Sequence, residues 1–271
     1  MFTFPPARYW LPNLFTLAST LCGLAIIWLS AAATTPEHFY LAALLIPTAC
    51  VLDGFDGRVA RWVHGESAIG VQLDSMSDLI SFGVAPAFLV YYWALDSLGF
   101  AGLLVSFIFA AGAMLRLARF NVQAEIDHGF SRYFNGLPAP MAAMGVAALV
   151  CLDVGILQRQ SLPELALWAV IGGVVVLALL MVSNVPFRTF KDMRRTPGNM
   201  LFVATVLSAL VIMTYRFDIL KALSFIFAGY FFANLIFALV KRGWRVNAAG
   251  VPELDEDDDD DAFDNEFDRH I

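Results

Sequence analysis

Long apolar runs constrain this chain more than any other feature. Stretches of about 18 to 23 residues, nearly free of charge, recur along it, and each is long enough to cross a bilayer core as a helix. Helices of a soluble domain carry an apolar stripe opposite a polar face, whereas these runs are apolar all round. Hydrophobic residues make up 59% of the chain and charged residues 15%, and the mean hydropathy is +0.69. The expected fold is therefore an all-α integral membrane protein with about eight transmembrane helices. The spans are expected near 13–32, 39–61, 70–92, 98–119, 138–156, 164–184, 198–215 and 219–240. Their spacing has no fixed period, so no internal repeat is expected.

The net charge of −7 hides two regions of opposite sign. Residues 253–269 hold eleven acids and one arginine; the rest of the chain holds 16 basic against 13 acidic residues. Residues 1–246 read as a mildly basic membrane body, and residues 247–271 as a disordered, solvated acidic tail. Cys22, Cys50 and Cys151 all fall inside apolar runs without a C-x-x-C partner, which fits small buried hydrophobes and neither a disulfide framework nor a zinc site. Residues 14–29 followed by Ala31-Ala32-Ala33 have some look of a signal peptide, but the apolar run is long and only Arg8 precedes it, so an uncleaved first span is expected.

Loop charge gives an orientation. Eight spans put both termini on one side, and that side receives fourteen of the basic residues, Arg8, Arg58, Arg61, Arg116 and Arg188 among them. The other side receives Arg159, Arg216 and Lys221. By the positive-inside rule both termini face the cytoplasm.

The chemistry concentrates in residues 53–78, DGFDGRVARWVHGESAIGVQLDSMSD. Asp53 and Asp56 are three apart, Asp74 and Asp78 four apart, so each pair shares a helix face. Two carboxylates about 6 Å apart repel by roughly 3 kcal/mol at an effective dielectric near 20, which divalent cations offset most simply. A set of hard oxygen ligands suits Mg²⁺ or Mn²⁺ and not zinc. The bland alternative is a group of helix-end acids paired with Arg58 and Arg61. Ionisable residues within membrane segments are costly and usually functional, which favours the metal reading. His64 has the place of a surface residue more than that of a base.

The same stretch resembles the CDP-alcohol phosphotransferase family. Its signature, D-x2-D-G-x2-A-R-x8-G-x3-D-x3-D, is met at every fixed position, by Asp53, Asp56, Gly57, Ala60, Arg61, Gly70, Asp74 and Asp78. The resemblance implies a six-helix core, with the last two spans added beyond it. It implies displacement of CMP from a CDP-linked lipid by an alcohol, at two divalent ions. Asp53 and Asp74 would bridge them, Asp56 would complete one site and Asp78 the other, with Asp78 also acting as general base. Gly57 would let the nucleotide approach the backbone, and Arg61 would hold phosphate. Ala60 and Gly70 belong to the same motif. Pro12-Asn13 with Thr16 either lies near the nucleotide, as in the family, or simply starts the first helix. Ser67 is a further nucleotide contact to expect.

Three more segments, LRLARFNV at 115–122, FNGLPAP at 134–140 and MVSNVPFRTFKD at 181–192, are similar to the bacterial membrane-integral phosphatidylserine synthases. That similarity implies CDP-diacylglycerol as donor, L-serine as acceptor and the bacterial cytoplasmic membrane as location. A serine carboxylate needs a cation, and Arg116, Arg119 and Lys191 are candidates, with Asn121 and Asn135 as neutral partners. These basic residues equally suit membrane anchoring, and Asn135 before Gly136 equally suits a turn. A homodimer is expected and a nucleic-acid partner is not. The competing functions are the same reaction with choline, inositol or glycerol 3-phosphate, and, from a different class, an ion-coupled transporter.

Overall fold

The structure is a computed structural model and describes residues 10–63, 65, 67–126, 134–157, 163–183 and 186–187. The expected seventh and eighth spans, His64, Lys191 and the acidic tail lie outside the described residues.

The described chain is helical apart from one two-residue strand pair. Helix α1 covers Trp10–Ala31, α2 Pro36–Trp62, α3 Ala68–Asp78, α4 Ala85–Val90, α5 Phe100–Ile126, α6 Ala139–Val150 and α7 Glu164–Val182. Among the described residues, five helical segments are long and apolar enough to cross a membrane: 12–31, 36–62, 69–98, 100–122 and 164–182. A shorter apolar helix covers Ala139–Gly155. These agree with the first six expected spans to within a few residues at most ends.

Local chemistry explains the helix starts. Thr35 adopts an extended conformation, Pro36 takes the first helical position of α2, and His38 folds back so that its Nδ1 accepts from the amides of Thr34 and Thr35. Ser67 is likewise extended, and its Oγ accepts from the Gly70 N–H at 3.0 Å, capping α3. The turn between α2 and α3 is thus the Val63–Ser67 segment that the sequence suggests.

The third span is less regular than expected. Wide π-type turns occupy Leu79–Val84 and Tyr91–Leu95, on either side of α4. The first ends one residue short of Pro86, which has no N–H to donate and whose ring crowds the carbonyl one turn back, so a wider turn relieves it. A third wide turn, Cys151–Ile156, ends the fifth span.

Small residues let the helices approach closely, the usual device where lipid removes the hydrophobic drive between them. Ala42, Ala43, Ile46 and Ala49 of α2 and Ala142, Ala143 and Val146 of α6 are fully buried in one core. A Cβ on Gly112 of α5 would lie 3.1 Å from the Ala178 carbonyl of α7. Large apolar side chains, Leu21, Trp28, Phe107, Leu165 and Trp168 among them, point outward as a lipid-facing surface. Far from the aspartates in sequence, the Trp93 indole N–H donates to Asp153 at 3.2 Å and ties the end of the third span to the end of the fifth.

One feature has no counterpart in the apolar pattern. Strand β1, Phe134–Asn135, pairs antiparallel with β2, Pro186–Phe187. Gly136 follows at φ +93°, and its missing side chain leaves room for the Met181 and Ser183 carbonyls. The Leu137 N–H then donates to the Leu180 carbonyl at 3.0 Å. Turn chemistry at Asn135-Gly136 is therefore present in the backbone.

Packing at Gly112 yields a test. Gly112→Val should lower stability by about 1–3 kcal/mol through overpacking. Thermal unfolding in detergent should show the loss as a lower midpoint, whereas an unchanged midpoint would mean that α5 and α7 are not in close contact.

Candidate active site

The aspartates come from two helices that meet at one end of the bundle. Asp53 and Asp56 lie on the last turns of α2, and Asp74 and Asp78 on the second half of α3. Carboxylate oxygens of Asp53, Asp56 and Asp74 all lie within 4.8 Å of one another. Asp56 is buried, and the other three are half-buried. Asp78 stands next to Asp53, outside the group of three, and its Oδ1 is buried with no hydrogen-bond partner.

At that separation each ionised pair repels by about 3.5 kcal/mol or more at an effective dielectric near 20. Arg58 and Arg61 are exposed and are not buried counter-ions for the group. The donor set is three clustered carboxylates with a fourth beside them, and hard divalent cations favour carboxylate oxygen. Oxygens on opposite sides of such an ion stand about 4 to 5 Å apart, so the observed cluster fits one.

Beside the cluster opens a cavity of about 390 Å³. All seven residues expected to contact the nucleotide line it: Asn13, Thr16, Gly57, Ala60, Arg61, Ser67 and Gly70. Asp56 and Asp74 form part of the same wall, and Pro12, Gly65 and Val71 complete the lining. At Gly57 an added Cβ would meet nothing within 4 Å, so that position is open space on the cavity side of α2. At Gly70 it would lie 3.1 Å from Ser67 Oγ and 3.4 Å from Asn13 Oδ1, which fits a crowded corner where α1 meets the start of α3.

The acceptor candidates divide. Arg116 of α5 is half-buried, close enough to Asp78 to act on it electrostatically, with its guanidinium carbon 5.9 Å from the Phe120 ring centroid. Arg119 lies one turn further along α5 and is half-buried. Asn121 accepts a hydrogen bond from Ser75, the neighbour of Asp74, at 3.1 Å. Asn135 sits in β1, and Lys191 lies outside the described residues.

The sequence reading missed a polar seam on α1. Thr16 donates to Asp56 Oδ2 at 2.8 Å, Thr20 to Ser77 Oγ at 2.8 Å, and Ser77 to the Thr16 carbonyl at 3.0 Å. One turn deeper, Ser81 donates to the Ser19 carbonyl at 3.0 Å. The available signal was the spacing of Thr16, Ser19 and Thr20, hydroxyls on one face of an otherwise apolar helix.

The cap on α3 can be tested directly. Ser67→Ala should cost about 1 kcal/mol and fray the first turn that carries the cavity wall. Hydrogen exchange at the Gly70 amide should speed up; an unchanged rate would show that Ser67 caps nothing.

Comparison with known proteins agrees with this arrangement. The pattern of the CDP-alcohol phosphatidyltransferase family matches residues 9–179. A protein of Helicobacter pylori strain J99, described as CDP-diacylglycerol–serine O-phosphatidyltransferase, is 32% identical over 233 residues, covering 86% of this chain and 94% of that protein. One of Bacillus subtilis with the same description is 35% identical over 183 residues, covering 67% and 92%. An archaetidylserine synthase of Methanothermobacter thermautotrophicus is 36% identical over 143 residues, covering 51% and 56%. A pattern spanning more than half of the chain, with relatives a third identical along most of their length, means that this chain belongs to the CDP-alcohol phosphatidyltransferase family.

Proposed function

We propose that the protein transfers the phosphatidyl group of CDP-diacylglycerol to the hydroxyl of L-serine, giving phosphatidylserine and CMP. The observation that carries this reading is the meeting of one nucleotide-sized cavity with three clustered carboxylates at the end of a membrane bundle. The donor headgroup enters that cavity while its acyl chains stay in the bilayer. Serine as acceptor is supported by the activity for which the bacterial relatives are named and by the half-buried Arg116 near Asp78.

The roles follow from position. Asp53, Asp56 and Asp74, with Asp78 beside them, are the residues to hold Mg²⁺ or Mn²⁺, which as bound Lewis acids neutralise the pyrophosphate and favour departure of CMP. Two ions shared among four carboxylates is the arrangement proposed. Asp78 takes the serine hydroxyl proton as the new oxygen–phosphorus bond forms and the bond to the CMP oxygen breaks. Arg61, exposed on the cavity wall, forks onto phosphate. Gly57, Ala60 and Gly70 keep that wall low, and Asn13 and Ser67 offer polar atoms to the nucleotide. Arg116, with Arg119, Asn121, Asn135 and Lys191 as further candidates, holds the serine carboxylate. The excess of basic residues on one side supports placing the site and both termini on the cytoplasmic face of a bacterial inner membrane. An eight-span body over residues 1–246, a solvated acidic tail and a homodimer complete the proposal.

Membranes containing the protein should release CMP from CDP-diacylglycerol only when serine and a divalent cation are both supplied, and chelation should stop it. Asp78→Asn should slow release by about 10²–10⁴-fold. Release driven by choline, inositol or glycerol 3-phosphate in place of serine would move the protein to a sister reaction. Metal-dependent ion flux without CMP would make it a transporter.

Gly57 separates folding from function. Gly57→Ala should leave stability unchanged or raise it by up to about 1 kcal/mol, since alanine favours helix and meets no obstacle. The added methyl should nonetheless raise the KM for CDP-diacylglycerol, by about tenfold for each 1.4 kcal/mol of crowding. An unchanged KM would mean that the nucleotide does not pass this wall.

A further inference from the structure

We infer that Thr16 is a positioning residue for the Asp56 carboxylate and not a contact to the nucleotide. The inference rests on the proposed reading of the acidic cluster as a divalent cation site. It assigns α1, which carries none of the signature residues, a part in shaping that site.

The geometry is specific. Thr16 is 3% exposed, and its Oγ1 lies 2.8 Å from Asp56 Oδ2 on a helix forty residues away in sequence. The same hydroxyl lies 3.3 Å from the Pro12 carbonyl. A threonine hydroxyl has one hydrogen to give. The shorter bond ends on a carboxylate, and charge-assisted bonds are the stronger, so the hydrogen goes to Asp56. Thr16 borders the cavity, yet it has no hydrogen left for a phosphate, and at 3% exposure its oxygen offers little surface to a ribose hydroxyl.

Thr16 is itself held in place. Its carbonyl accepts from Ser77, the residue before Asp78, and lies 3.1 Å from the Thr20 hydroxyl. The Thr20 hydroxyl is also 2.8 Å from Ser77 Oγ. One turn of α1 therefore touches both acid-bearing helices, Asp56 of α2 through a hydroxyl and Ser77 of α3 through a carbonyl. A carboxylate turns freely about its last torsion unless one oxygen is fixed. Fixing Oδ2 settles how the Asp56 carboxylate faces Asp53 and Asp74 before any cation arrives. Groups that hydrogen-bond to metal ligands in this way commonly govern about 10- to 100-fold of metal affinity or activity.

The test uses the full chain in detergent or nanodiscs and Mn²⁺ as the probe. Free Mn²⁺ is followed by electron paramagnetic resonance without substrate, and CMP release is then titrated with Mn²⁺. Thr16→Val, which keeps the shape and removes the donor, should bind Mn²⁺ about 10- to 100-fold more weakly. Thr16→Ser, which keeps the donor, should bind it like the parent. At saturating Mn²⁺ the KM of Thr16→Val for CDP-diacylglycerol should match the parent's. Should Thr16→Val fail to fold, Thr16→Ala carries the same loss without crowding the seam. Unchanged Mn²⁺ affinity in the variants lacking the donor would overturn the inference, as would a raised KM for CDP-diacylglycerol at saturating Mn²⁺. Asp56→Asn separates the two levels of the argument. If it binds Mn²⁺ like the parent, the metal reading itself falls; if it loses Mn²⁺ while Thr16→Val does not, only the role of Thr16 falls.

Discussion

Repulsion among four carboxylates is the interaction that the rest of this structure must hold in check. Asp53 and Asp56 on α2 and Asp74 on α3 converge on one small volume with Asp78 beside Asp53. Among the described residues no buried arginine or lysine stands within the group of three, while half-buried Arg116 faces Asp78. Left to electrostatics the two helix ends would part. Alanine-rich packing of α2 against α6 anchors one of them further along the bundle. Only five residues, the last of them the capping Ser67, separate the first of these helices from the second, which leaves the acids little room to move apart. The resulting electrostatic cost is the natural counterpart of cation binding: a site that repels itself gains the more when a divalent ion enters.

Much of this was legible in the sequence, because helical spacing is short-range information. Intervals of three and four between acids imply a shared face, and the structure has that face at the ends of two helices. The first six spans were visible as apolar runs for the same reason. The cavity lining was legible only through family resemblance, since nothing local brings Asn13 near Gly70. What stayed hidden depended on distant partners. Thr16 was recognisable as a polar residue near a helix start, but its bond to Asp56 spans forty residues. Asn121 stood out as an amide at the end of α5, but not as the acceptor for Ser75. The wide turns flanking α4 were invisible because apolar composition does not distinguish one helical winding from another. Phe134–Asn135 and Pro186–Phe187 are too short to show any alternation, so their pairing had no sequence signal.

The division of labour between the helices is uneven. α2 and α3 supply the charged chemistry, and α5 brings Arg116 towards Asp78. α1 contributes only hydroxyls and carbonyls, yet it lies against both acid-bearing helices. Hydroxyls suit this place, because they bridge helices without adding charge to a site that already carries too much of one sign. The one-turn-deeper bond from Ser81 to Ser19 extends the same seam towards the membrane interior.

The short strand pair links two stretches that are otherwise independent loops. With β1 joined to β2, and the Leu137 amide bonded to the last turns of α7, the connection before α6 and the segment after α7 form a single stapled unit. These are also two of the three stretches by which the chain resembles serine-specific enzymes. A substitution in either stretch is thus felt across about fifty residues of chain. Replacing one stretch alone would break this pairing, whereas exchanging both together would keep it.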